Sequence, residues 1–396
     1  MRRKILHISH TDLDGYIPVM LNKMIVTLCD DVGKSVIIPE HEYESMHINP
    51  PELIEILSDN EFIQKYDTII ITDLRISGDV LLKIIEYGLE KFYIADHHPI
   101  DYDLEASIKS FEKYKSWNTE DITEHIVLSE TLGIGVNNQL EEEIRKTCGT
   151  ELYWELFLYK WLKEMHFIFR ENYRFISNIR RIVNATRAWD TYDWKNLTPN
   201  SMDRITAERL QILFSTISKD DLLNYLIDYM YLGDNYSFTY DINTSPFSID
   251  IEKRCKLPIA YIINSEIDKK NKYIEKMTNP NNKNYQMFTW SINTPNYKDT
   301  LNAALIFSNR YASDIGYDIL EQESDIDIVI IISNRSVQLR SLDHLADCGK
   351  IAKLYGGGGH HNAAGFIPLT QDVLWMERNF FLGLCNLCSD IKRPED

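Results

Sequence analysis

The chain has 396 residues, of which 44% are hydrophobic and 26% charged, and its formal net charge is −18 at pH 7. The length allows two domains with their own cores, and the composition is that of an ordinary soluble globular protein without a membrane span. The strong negative charge excludes a protein that coats long duplex nucleic acid, because such a protein needs a basic face against the phosphates.

Two features of the sequence favour a cytoplasmic protein. Met1–Lys4 is basic, but the residues that follow, Ile5–Ser9, are too few for the apolar region of a signal peptide. The six cysteines follow no disulfide spacing, which is typical of reduced thiols inside a cell. Cys385 and Cys388 form a CxxC pair, but no second pair or suitably spaced histidine completes a zinc site.

Strand and helix patterns alternate through the first 100 residues. This alternation predicts a parallel sheet with right-handed crossovers, and ligands of such sheets bind beyond the carboxyl ends of the strands. The predicted strands are Lys4–Ser9, Ser35–Pro39, Thr68–Thr72 and Phe92–Ala95, and the predicted helices are Ile17–Leu28, Pro51–Leu57 and Val80–Glu90.

The chain from residue 101 to about 230 is richer in helical patterns and aromatic residues. Glu151–Phe169 repeats large apolar side chains at helical spacing, which predicts a buried helix against the sheet; base stacking by its Trp and Tyr residues is the alternative. The composition of Gly233–Pro246 is typical of a linker. We therefore expect a first domain over residues 1–232 with a helical insertion at about 101–180, a linker at 233–246, and a second domain over 247–396.

The second domain is predicted to be of mixed α/β type. Asn271–Asn284 is rich in Asn and Lys, which predicts an exposed turn. Ser336–Ser341 alternates and is the expected hairpin partner of the apolar strand before it. The predicted strands are Pro258–Ile263, Tyr285–Ile292, Ile326–Ser333, Ser336–Ser341 and Phe366–Leu369, and the predicted helices are Thr300–Ser313 and Leu342–Tyr355.

Side chains of the kind that bind metals follow the predicted strands of the first domain. His10, Asp12 and Asp14 come directly after the first strand, where the chain turns at Gly15. Asp and Gly are common at any such turn, but further acidic groups follow at what we interpret as later strand ends, and together they supply enough donors for two divalent metal ions. The later groups are Asp73, Asp96, His97, His98 and Asp190, with Asp193 as a nearby alternative to Asp190. Five other histidines show no partner pattern and are interpreted as ordinary surface or helix residues: His41, His47, His125, His166 and His344.

The second chemical motif is the run Gly356–Gly359, which His360 and His361 follow. Four glycines let backbone amides approach an anion without a Cβ atom in the way, and a histidine beside them can donate to a phosphate oxygen. The alternative, a flexible linker, fits poorly with the strand pattern that follows the run. Arg340 on the preceding hairpin adds a forked donor suited to phosphate, although alone it would equally be a surface arginine.

The order of these motifs resembles the DHH phosphoesterase superfamily. The motifs arrive in the family's order and span residues 10 to 365. The SHTDLDG form of the first motif is most similar to the oligoribonuclease (nanoRNase) branch, whereas RecJ-like exonucleases carry aspartate at the histidine position. The four DHH motifs match at His10, Asp12, Asp14 and Gly15, then Asp73, then Asp96, His97 and His98, then Asp190, and the glycine-rich signature of the DHH-associated domain matches at Gly356–Gly365.

This resemblance implies an α/β fold with a parallel-sheet DHH domain, a helical insertion and a smaller mixed α/β DHH-associated domain, with the active site in the interdomain cleft. It implies two divalent metal ions, Mn²⁺ preferred over Mg²⁺ for mixed imidazole and carboxylate donors, that share a hydroxide aimed at phosphorus. Asp73 is expected to bridge the metals, Asp96 to orient a histidine, and His98 to contact the scissile phosphate or protonate the leaving group. The implied metal ligands are His10, Asp12, Asp14, Asp73, His97 and Asp190, and the implied substrate-binding residues are Arg340, Gly357, Gly358, Gly359 and His360.

The expected activity is that of a metal-dependent phosphodiesterase that releases 5′-mononucleotides from very short RNA, from the 3′ end. Three alternatives share the metal site: hydrolysis of linear or cyclic dinucleotides, dephosphorylation of 3′-phosphoadenosine 5′-phosphate, and RecJ-like exonuclease action on single-stranded DNA. A catalytically inactive nucleotide-binding module predicts Asn or Ser at the ligand positions, where this chain keeps every carboxylate. The expected partners are short single-stranded RNA or dinucleotides and a second copy of the chain, with no membrane and no long duplex.

Overall fold

The structure is a computed structural model, and it divides into two compact units, residues 1–264 and 265–396. Within the described residues, no helix is both long enough and apolar enough to cross a membrane. The strand predicted at Ser35–Pro39, the linker predicted at 233–246 and the Cys385–Cys388 pair lie outside the described residues. The described residues are 4–31, 42–129, 131–135, 142–164, 173–195, 197, 202–232, 259–279, 284–294, 297–334, 336–342, 345–367 and 391–392.

A parallel five-stranded sheet forms the centre of the first unit. Its strands are β1 (Lys4–His10), β2 (Glu42–Ile48), β3 (Thr68–Thr72), β4 (Phe92–Asp96) and β5 (Ile126–Leu128). They stand in the order β2-β1-β3-β4-β5, and every neighbouring pair is parallel. The parallel sheet predicted from the strand–helix alternation is therefore confirmed, and the carboxyl ends of β1, β3 and β4 lie at one edge.

The sequence shows why helices cover this sheet. The Ser77 side chain accepts the N–H of Val80 and caps the fourth helix, in which apolar residues at three- and four-residue steps are buried. These residues share one core with alternate residues of the sheet, such as Ile69, Ile71 and Ile94. The helices are α1 (Leu13–Asp31), α2 (Pro50–Ser58), α3 (Asn60–Ile63) and α4 (Gly78–Tyr87), and a 3₁₀ turn follows at Leu89–Lys91.

Residues 101–180 contain strands as well as the helices that were predicted there. Besides β5, an antiparallel hairpin forms from β6 (Thr131–Gly135) and β7 (Glu142–Lys146). The helix predicted from Glu151 is present as far as Glu164, and its aromatic residues Tyr153, Trp154 and Phe157 are buried in the core, not exposed for base stacking. The helical segments are α5 (Leu104–Lys109), α6 (Thr119–Thr123), α7 (Gly149–Leu152), a π-helical turn at Tyr153–Leu158, and α8 (Tyr159–Glu164).

Three further helices complete the described part of the first unit: α9 (Tyr173–Asp190), α10 (Met202–Thr216) and α11 (Lys219–Leu232). Asp190 is the last residue of α9, so the interpretation of Asp190 as a strand end is wrong. Its apolar lead-in contains β-branched residues that suit a strand. In the structure these residues, Ile179, Ile182 and Val183, are buried at helical steps of three and four instead.

The second unit is built on one mixed sheet. Its strands are β8 (Tyr285–Thr294), β9 (Tyr297–Phe307), β10 (Ile328–Ile332), β11 (Val337–Arg340), β12 (Gly358–Gly359), β13 (Ala363–Phe366) and β14 (Ile391–Lys392). The order is β12-β13-β11-β10-β9-β8-β14, and β9 and β10 form the parallel pair. The predicted hairpin of β10 and β11 is present as an antiparallel pair. Helices α12 (Ile259–Thr278), α13 (Ala312–Gln322) and α14 (Cys348–Leu354) complete the description.

Several segment predictions near the second unit are wrong. Pro258–Ile263 was predicted as a strand, yet its described residues begin α12, because a short apolar run does not by itself distinguish a strand from a buried helix. The same helix continues through residues 271–278, where a turn was expected. Thr300–Ser313 was predicted as a helix, but β9 covers residues 300–307 because its pairing with β8 and β10 outweighs the helix propensity of its Leu and Ala residues. Helix α14 is shorter than the predicted Leu342–Tyr355, because Asp347 caps it by accepting the N–H of Lys350.

Candidate metal centre

The first candidate ligands lie on a turn whose shape depends on two small residues. His10 ends β1, and the chain enters α1 three residues later, at Leu13. A Cβ atom on Gly15 would lie 2.3 Å from the His10 carbonyl oxygen, so only glycine fits there. The Ser9 hydroxyl donates to the Gly15 carbonyl at 2.6 Å and fixes the turn from inside the sheet. The sequence therefore holds the side chains of His10, Asp12 and Asp14 at the sheet edge.

Six predicted ligands form two groups that meet at Asp73. In the first group, His10 Nδ1 lies 2.9 Å from Asp12 Oδ2 and 3.6 Å from Asp73 Oδ2. In the second group, His97 Nε2 lies 3.7 Å from Asp14 Oδ2 and 3.5 Å from Asp190 Oδ2. The other oxygen of Asp73, Oδ1, is 3.3 Å from His97 Nε2. The Asp73 carboxyl group thus presents one oxygen to each group.

The backbone around Asp73 is built to hold this position. Asp73 adopts a left-handed conformation, with φ of 52°, which is unusual for a residue other than glycine and is found at functional sites. Helix α7 approaches so closely that a Cβ atom on Gly149 would lie 2.8 Å from the Asp73 Cβ atom. The same helix holds Asp14, which accepts the backbone N–H groups of Gly149 at 2.7 Å and Thr150 at 2.9 Å.

The electrostatics of this cluster favour a cation. Asp14 and Asp73 are each 2% exposed. Burial, together with repulsion from the neighbouring carboxylates, raises the pKa values of Asp73 and Asp190 well above their usual range. Within the described residues, the Oδ2 atoms of Asp73 and Asp190 are buried and accept no hydrogen bond. Buried oxygens without donors, mixed with imidazole nitrogens, fit a pair of divalent cations such as Mn²⁺ or Mg²⁺.

Asp96 orients His98 rather than His97. Its Oδ1 atom lies 2.7 Å from His98 Nδ1, which fixes the plane of that ring. Burial opposes ionisation of Asp96, but the charges of both histidines and the hydrogen bond to His98 lower its pKa below the usual value. Asp96 is fully buried and the His98 side chain is 24% exposed, so the imidazole lies at the open side of the cluster on a buried anionic support.

Asp190 and its alternative as a metal ligand, Asp193, have different contacts in the structure. Asp193 forms an ion pair with Arg187, one turn before Asp190 on α9. Arg187 is 8% exposed, and its Nε atom also lies 3.8 Å from the buried carboxylate of Glu151. Asp190 instead lies 3.5 Å from His97, so Asp190 belongs to the second group of ligands and Asp193 does not. Neither Arg187 nor Glu151 was singled out in the sequence, because an Arg and an acid on different helices carry no local signal.

His47 is a second residue that the sequence analysis missed. It was interpreted as an ordinary surface or helix residue, but it lies on β2, where Nδ1 donates to the His10 carbonyl at 3.0 Å. Its ring stacks on Tyr16 with centroids 3.5 Å apart and planes within 10°. Burial and the nearby charges of Lys23 and Lys219 lower the pKa of His47. Only the strand register, which pairs His47 with Ser9, could have revealed this contact.

In the second unit, Arg340 is held in place before any ligand binds. Its Nε and Nη2 atoms donate to Ser313 Oγ at 3.2 and 2.9 Å, and Nη2 also donates to Gln338 Oε1 at 3.1 Å. Nη1 donates to the Leu339 carbonyl at 2.8 Å. Helix α13 makes room for the arginine at Gly316, where a Cβ atom would lie 2.8 Å from Arg340 Cγ. The guanidinium group is therefore fixed by its own unit.

The glycine run forms a tight hairpin, not a row of open amides. The N–H groups of Gly356, Gly357 and His360 donate to backbone carbonyls at 3.2, 3.0 and 2.8 Å, so they do not face an anion. Gly358 and Gly359 pair with β13, and a Cβ atom on Gly357 would lie 2.1 Å from the carbonyl oxygen of Gly365. Close packing, more than anion approach, explains why glycine occupies these positions.

Comparisons with known proteins fit this architecture. No protein-family model matches the chain. A crystal structure of exonuclease RecJ bound to manganese aligns with a TM-score of 0.52 and 12% identity, over 98% of this chain and 89% of that one. The DHH domain of a member of a family of ribosomal proteins aligns over 98% and 87% with a TM-score of 0.46 and 13% identity. The alignment with RecJ shows that the chain shares this fold, and it agrees with the resemblance of the ordered motifs to the DHH superfamily of phosphoesterases.

The chain is also similar in sequence to oligoribonuclease NrnB from Bacillus subtilis. The two are 22% identical over 369 residues, which cover 92% of this chain and 73% of the relative. The similarity thus extends beyond the metal-ligand motifs to both units. It agrees with the nanoRNase branch that the SHTDLDG motif indicated.

Proposed function

We propose that this protein is a two-metal phosphodiesterase that hydrolyses very short RNA to 5′-mononucleotides. The observation that carries the proposal is the Asp73 carboxyl group, whose two oxygens face His10 at 3.6 Å and His97 at 3.3 Å. A carboxylate shared in this way between two groups of donors is the arrangement that a dinuclear site requires. The similarity to an oligoribonuclease supports the choice of short RNA as substrate.

Each group of donors would hold one divalent cation. His10 and Asp12 would bind one ion, Asp14, His97 and Asp190 the other, and Asp73 both. When bound, such ions lower the pKa of water and neutralise charge on a phosphodiester. The buried carboxylate oxygens of Asp73 and Asp190 that accept no hydrogen bond would then face a cation, which offsets the repulsion between the carboxylates. Mixed nitrogen and oxygen donors favour Mn²⁺ over Mg²⁺.

His98 and Asp96 would handle the proton of the leaving group. The Asp96 carboxylate accepts from His98 Nδ1 at 2.7 Å, which fixes the direction in which the opposite ring edge points. The His98 ring lies beside Asp73, with Nδ1 4.0 Å from Oδ1, and so is close to the proposed position of the scissile phosphate. A histidine in this place can donate a proton to the departing ribose oxygen.

Arg340 and the residues around the glycine hairpin would hold a phosphate or nucleotide of the substrate. The guanidinium group is planar, charged and fixed, and the second hydrogen of Nη1 is left as the donor that it can offer a phosphate. Because several amides of the glycine run donate internally, we assign the anion chiefly to the side chains of Arg340 and His360, with Gly358 and Gly359 lining the approach. The glycine at position 357 then serves packing.

The test is a product profile. The purified chain, stripped of metal and titrated with Mn²⁺ or Mg²⁺, is incubated with labelled RNA and DNA of two to ten nucleotides, linear and cyclic dinucleotides, and 3′-phosphoadenosine 5′-phosphate. We expect 5′-mononucleotides from RNA dimers to pentamers and little cleavage of the longest strands. Cleavage confined to dinucleotides, to the bisphosphate or to long DNA would replace the proposal with the corresponding alternative. The Asp325→Asn variant, which changes an exposed turn of the second unit, is the control and should match the wild type.

A further inference from the structure

An aromatic and basic cluster lies beside the first group of metal ligands, and none of its residues has been assigned a role so far. It consists of Tyr16, His47, Phe214 and Lys219, which we call the Tyr16 cluster. Tyr16 directly follows Gly15, and its N–H donates to the Asp12 carbonyl at 3.0 Å. His47 donates to the His10 carbonyl at 3.0 Å. Two backbone contacts therefore fix the cluster next to two candidate metal ligands.

The rings of the cluster are assembled face to face and edge to face. Tyr16 and His47 stack at 3.5 Å, and Phe214 meets Tyr16 edge-on with centroids 5.3 Å apart. Phe214 is buried, whereas Tyr16 and His47 are partly exposed. A partly exposed pair of stacked rings supported by a buried third ring is a rigid surface on which a nucleobase can extend the stack.

The positive charge at this place is unusual for a chain of net charge −18. The Lys219 ammonium group lies 3.4 Å from the Phe214 ring centroid and 5.2 Å from that of Tyr16, and it donates to the Phe214 carbonyl. Among the described residues, no carboxylate forms an ion pair with it. Lys23 also lies near His47. Two lysines beside an acidic centre suit the negative charge of a nucleotide.

We propose that the Tyr16 cluster binds the base of one of the two nucleotides joined by the scissile phosphate, with Lys219 attracting the phosphate backbone. The inference rests on the proposed function, since it assigns a base subsite to that same reaction. The subsite accepts any base, because stacking uses the ring face that all four bases share. Such a subsite would give the enzyme a preference for nucleotides over simple phosphodiesters that the metal ligands alone would not give.

The test compares Tyr16→Leu with Tyr16→Phe on three substrates: an RNA dimer and the two dimers in which one or the other sugar is abasic. For Tyr16→Leu we expect the KM of the intact dimer to rise about 10-fold with little change in kcat, as loss of one stacked base predicts. Tyr16→Phe keeps the ring and should match the wild type. For the wild type, one of the two abasic dimers should have a higher KM than the intact dimer. Tyr16→Leu should not raise the KM of that abasic dimer further, because the substrate already lacks the base that Tyr16 contacts.

Lys219→Met should raise the KM of the intact dimer about 5-fold and weaken its dependence on salt. The matched control is Lys83→Met on α4, a lysine paired with Glu86 at the surface, which should change neither quantity. An equal loss on all three substrates, or a fall in Mn²⁺ affinity for Tyr16→Leu, would show that the cluster only supports His10 and would overturn the base subsite. An unchanged KM would overturn it as well.

Failure of the proposed function can be told apart from failure of the subsite. If the wild type leaves all RNA dimers intact, the proposed function fails, and the subsite is then judged by equilibrium binding of 5′-AMP and of ribose 5-phosphate. Tighter binding of 5′-AMP that Tyr16→Leu abolishes would support the subsite. Equal binding of the two ligands by the wild type would overturn it.

Discussion

The metal-ligand cluster of the first unit and the Arg340 region of the second unit satisfy their polar groups in opposite ways. In the cluster, buried carboxylate oxygens of Asp73 and Asp190 accept no hydrogen bond from the described residues. Around Arg340, the guanidinium donors already meet Ser313, Gln338 and a backbone carbonyl. Buried charge without donors is costly, whereas a satisfied network is stable by itself. The first region is therefore complete only with cations, and the second is complete as protein.

The difference shows how each region would contribute to hydrolysis. Cations in the first region would repay the electrostatic cost of gathering carboxylates, so metal binding and stability are coupled there. The second region gains no such stability from a ligand, and its contribution is a positioned group for recognition. Removal of metal should thus destabilise the first unit and leave the second unchanged. Four substitutions can break or sharpen this comparison.

The largest effect is expected for Asp73→Asn. The amide cannot serve two cations as a carboxylate does, so we expect phosphodiesterase activity to fall by at least about 1,000-fold. Without metal, the variant should melt about 2 °C or more above the wild type, because one of several crowded carboxylates is gone. Thermal unfolding with EDTA measures the melting temperature without metal, and unfolding with Mn²⁺ measures the stabilisation that the metal gives. A variant that Mn²⁺ stabilises as strongly as the wild type would contradict the bridging role.

Arg187→Met tests whether the cluster depends on the residues that support it. Arg187 pairs with Asp193 and approaches Glu151, and these contacts fix the end of α9 from which Asp190 extends. We expect Mn²⁺ affinity to fall about 10- to 100-fold, as for other changes behind a metal ligand. Arg180→Met on the same helix, where the arginine is 45% exposed and pairs with Glu155, is the matched control. Isothermal titration with Mn²⁺ gives both affinities, and equal values would exclude a positioning role for Arg187.

The strand ends at His10, Asp73 and Asp96 could be predicted from the sequence because each strand is a short apolar run with a polar terminus. Parallel pairing then brings these ends to one edge, whatever the details of packing. The contacts of Asp14 with Gly149 and Thr150 could not be predicted, since 135 residues or more separate the partners and no local pattern links them. The sequence predicted which residues meet, but not what holds them.

Two other features show why tertiary context decides. His7 alternates with the apolar residues of β1 but is fully buried, where its nitrogens meet Tyr43 and Thr72 at 2.8 and 2.9 Å. Burial lowers its pKa to about 3, so it is a neutral part of the core. Residues 300–307 carry Leu and Ala in a pattern that also suits a helix, and only two neighbouring strands make them β9. Local patterns are ambiguous when pairing partners lie elsewhere in the chain.

Gly149→Ala tests the close approach of α7 to Asp73. The new Cβ atom would lie 2.8 Å from the Asp73 Cβ atom and 3.0 Å from its backbone, so the helix must shift. We expect the free energy of unfolding to fall by about 1–3 kcal/mol, together with weaker Mn²⁺ binding. Gly78→Ala at the start of α4 is the control, because nothing lies within 4 Å of its Cβ position and its stability should change by less than about 1 kcal/mol. Urea unfolding gives the free energy of unfolding of both variants. Equal values would show that α7 can shift away from Asp73 without cost.

The smallest effect belongs to the second unit, where Arg340→Lys should act on substrate alone. Lysine keeps the charge but loses the planar fork, so we expect the KM for RNA dimers to rise about 10-fold with the Mn²⁺ affinity unchanged. Ser313→Ala, which removes the hydroxyl that holds Nε and Nη2, should raise KM less, because the contacts to Gln338 and the Leu339 carbonyl remain. Steady-state kinetics and Mn²⁺ titrations on the same preparations separate the two quantities. A change in both KM and Mn²⁺ affinity would mean that the two regions do not act independently. The contrast would then no longer hold between a cluster that needs cations and an arginine whose hydrogen bonds are made within the protein.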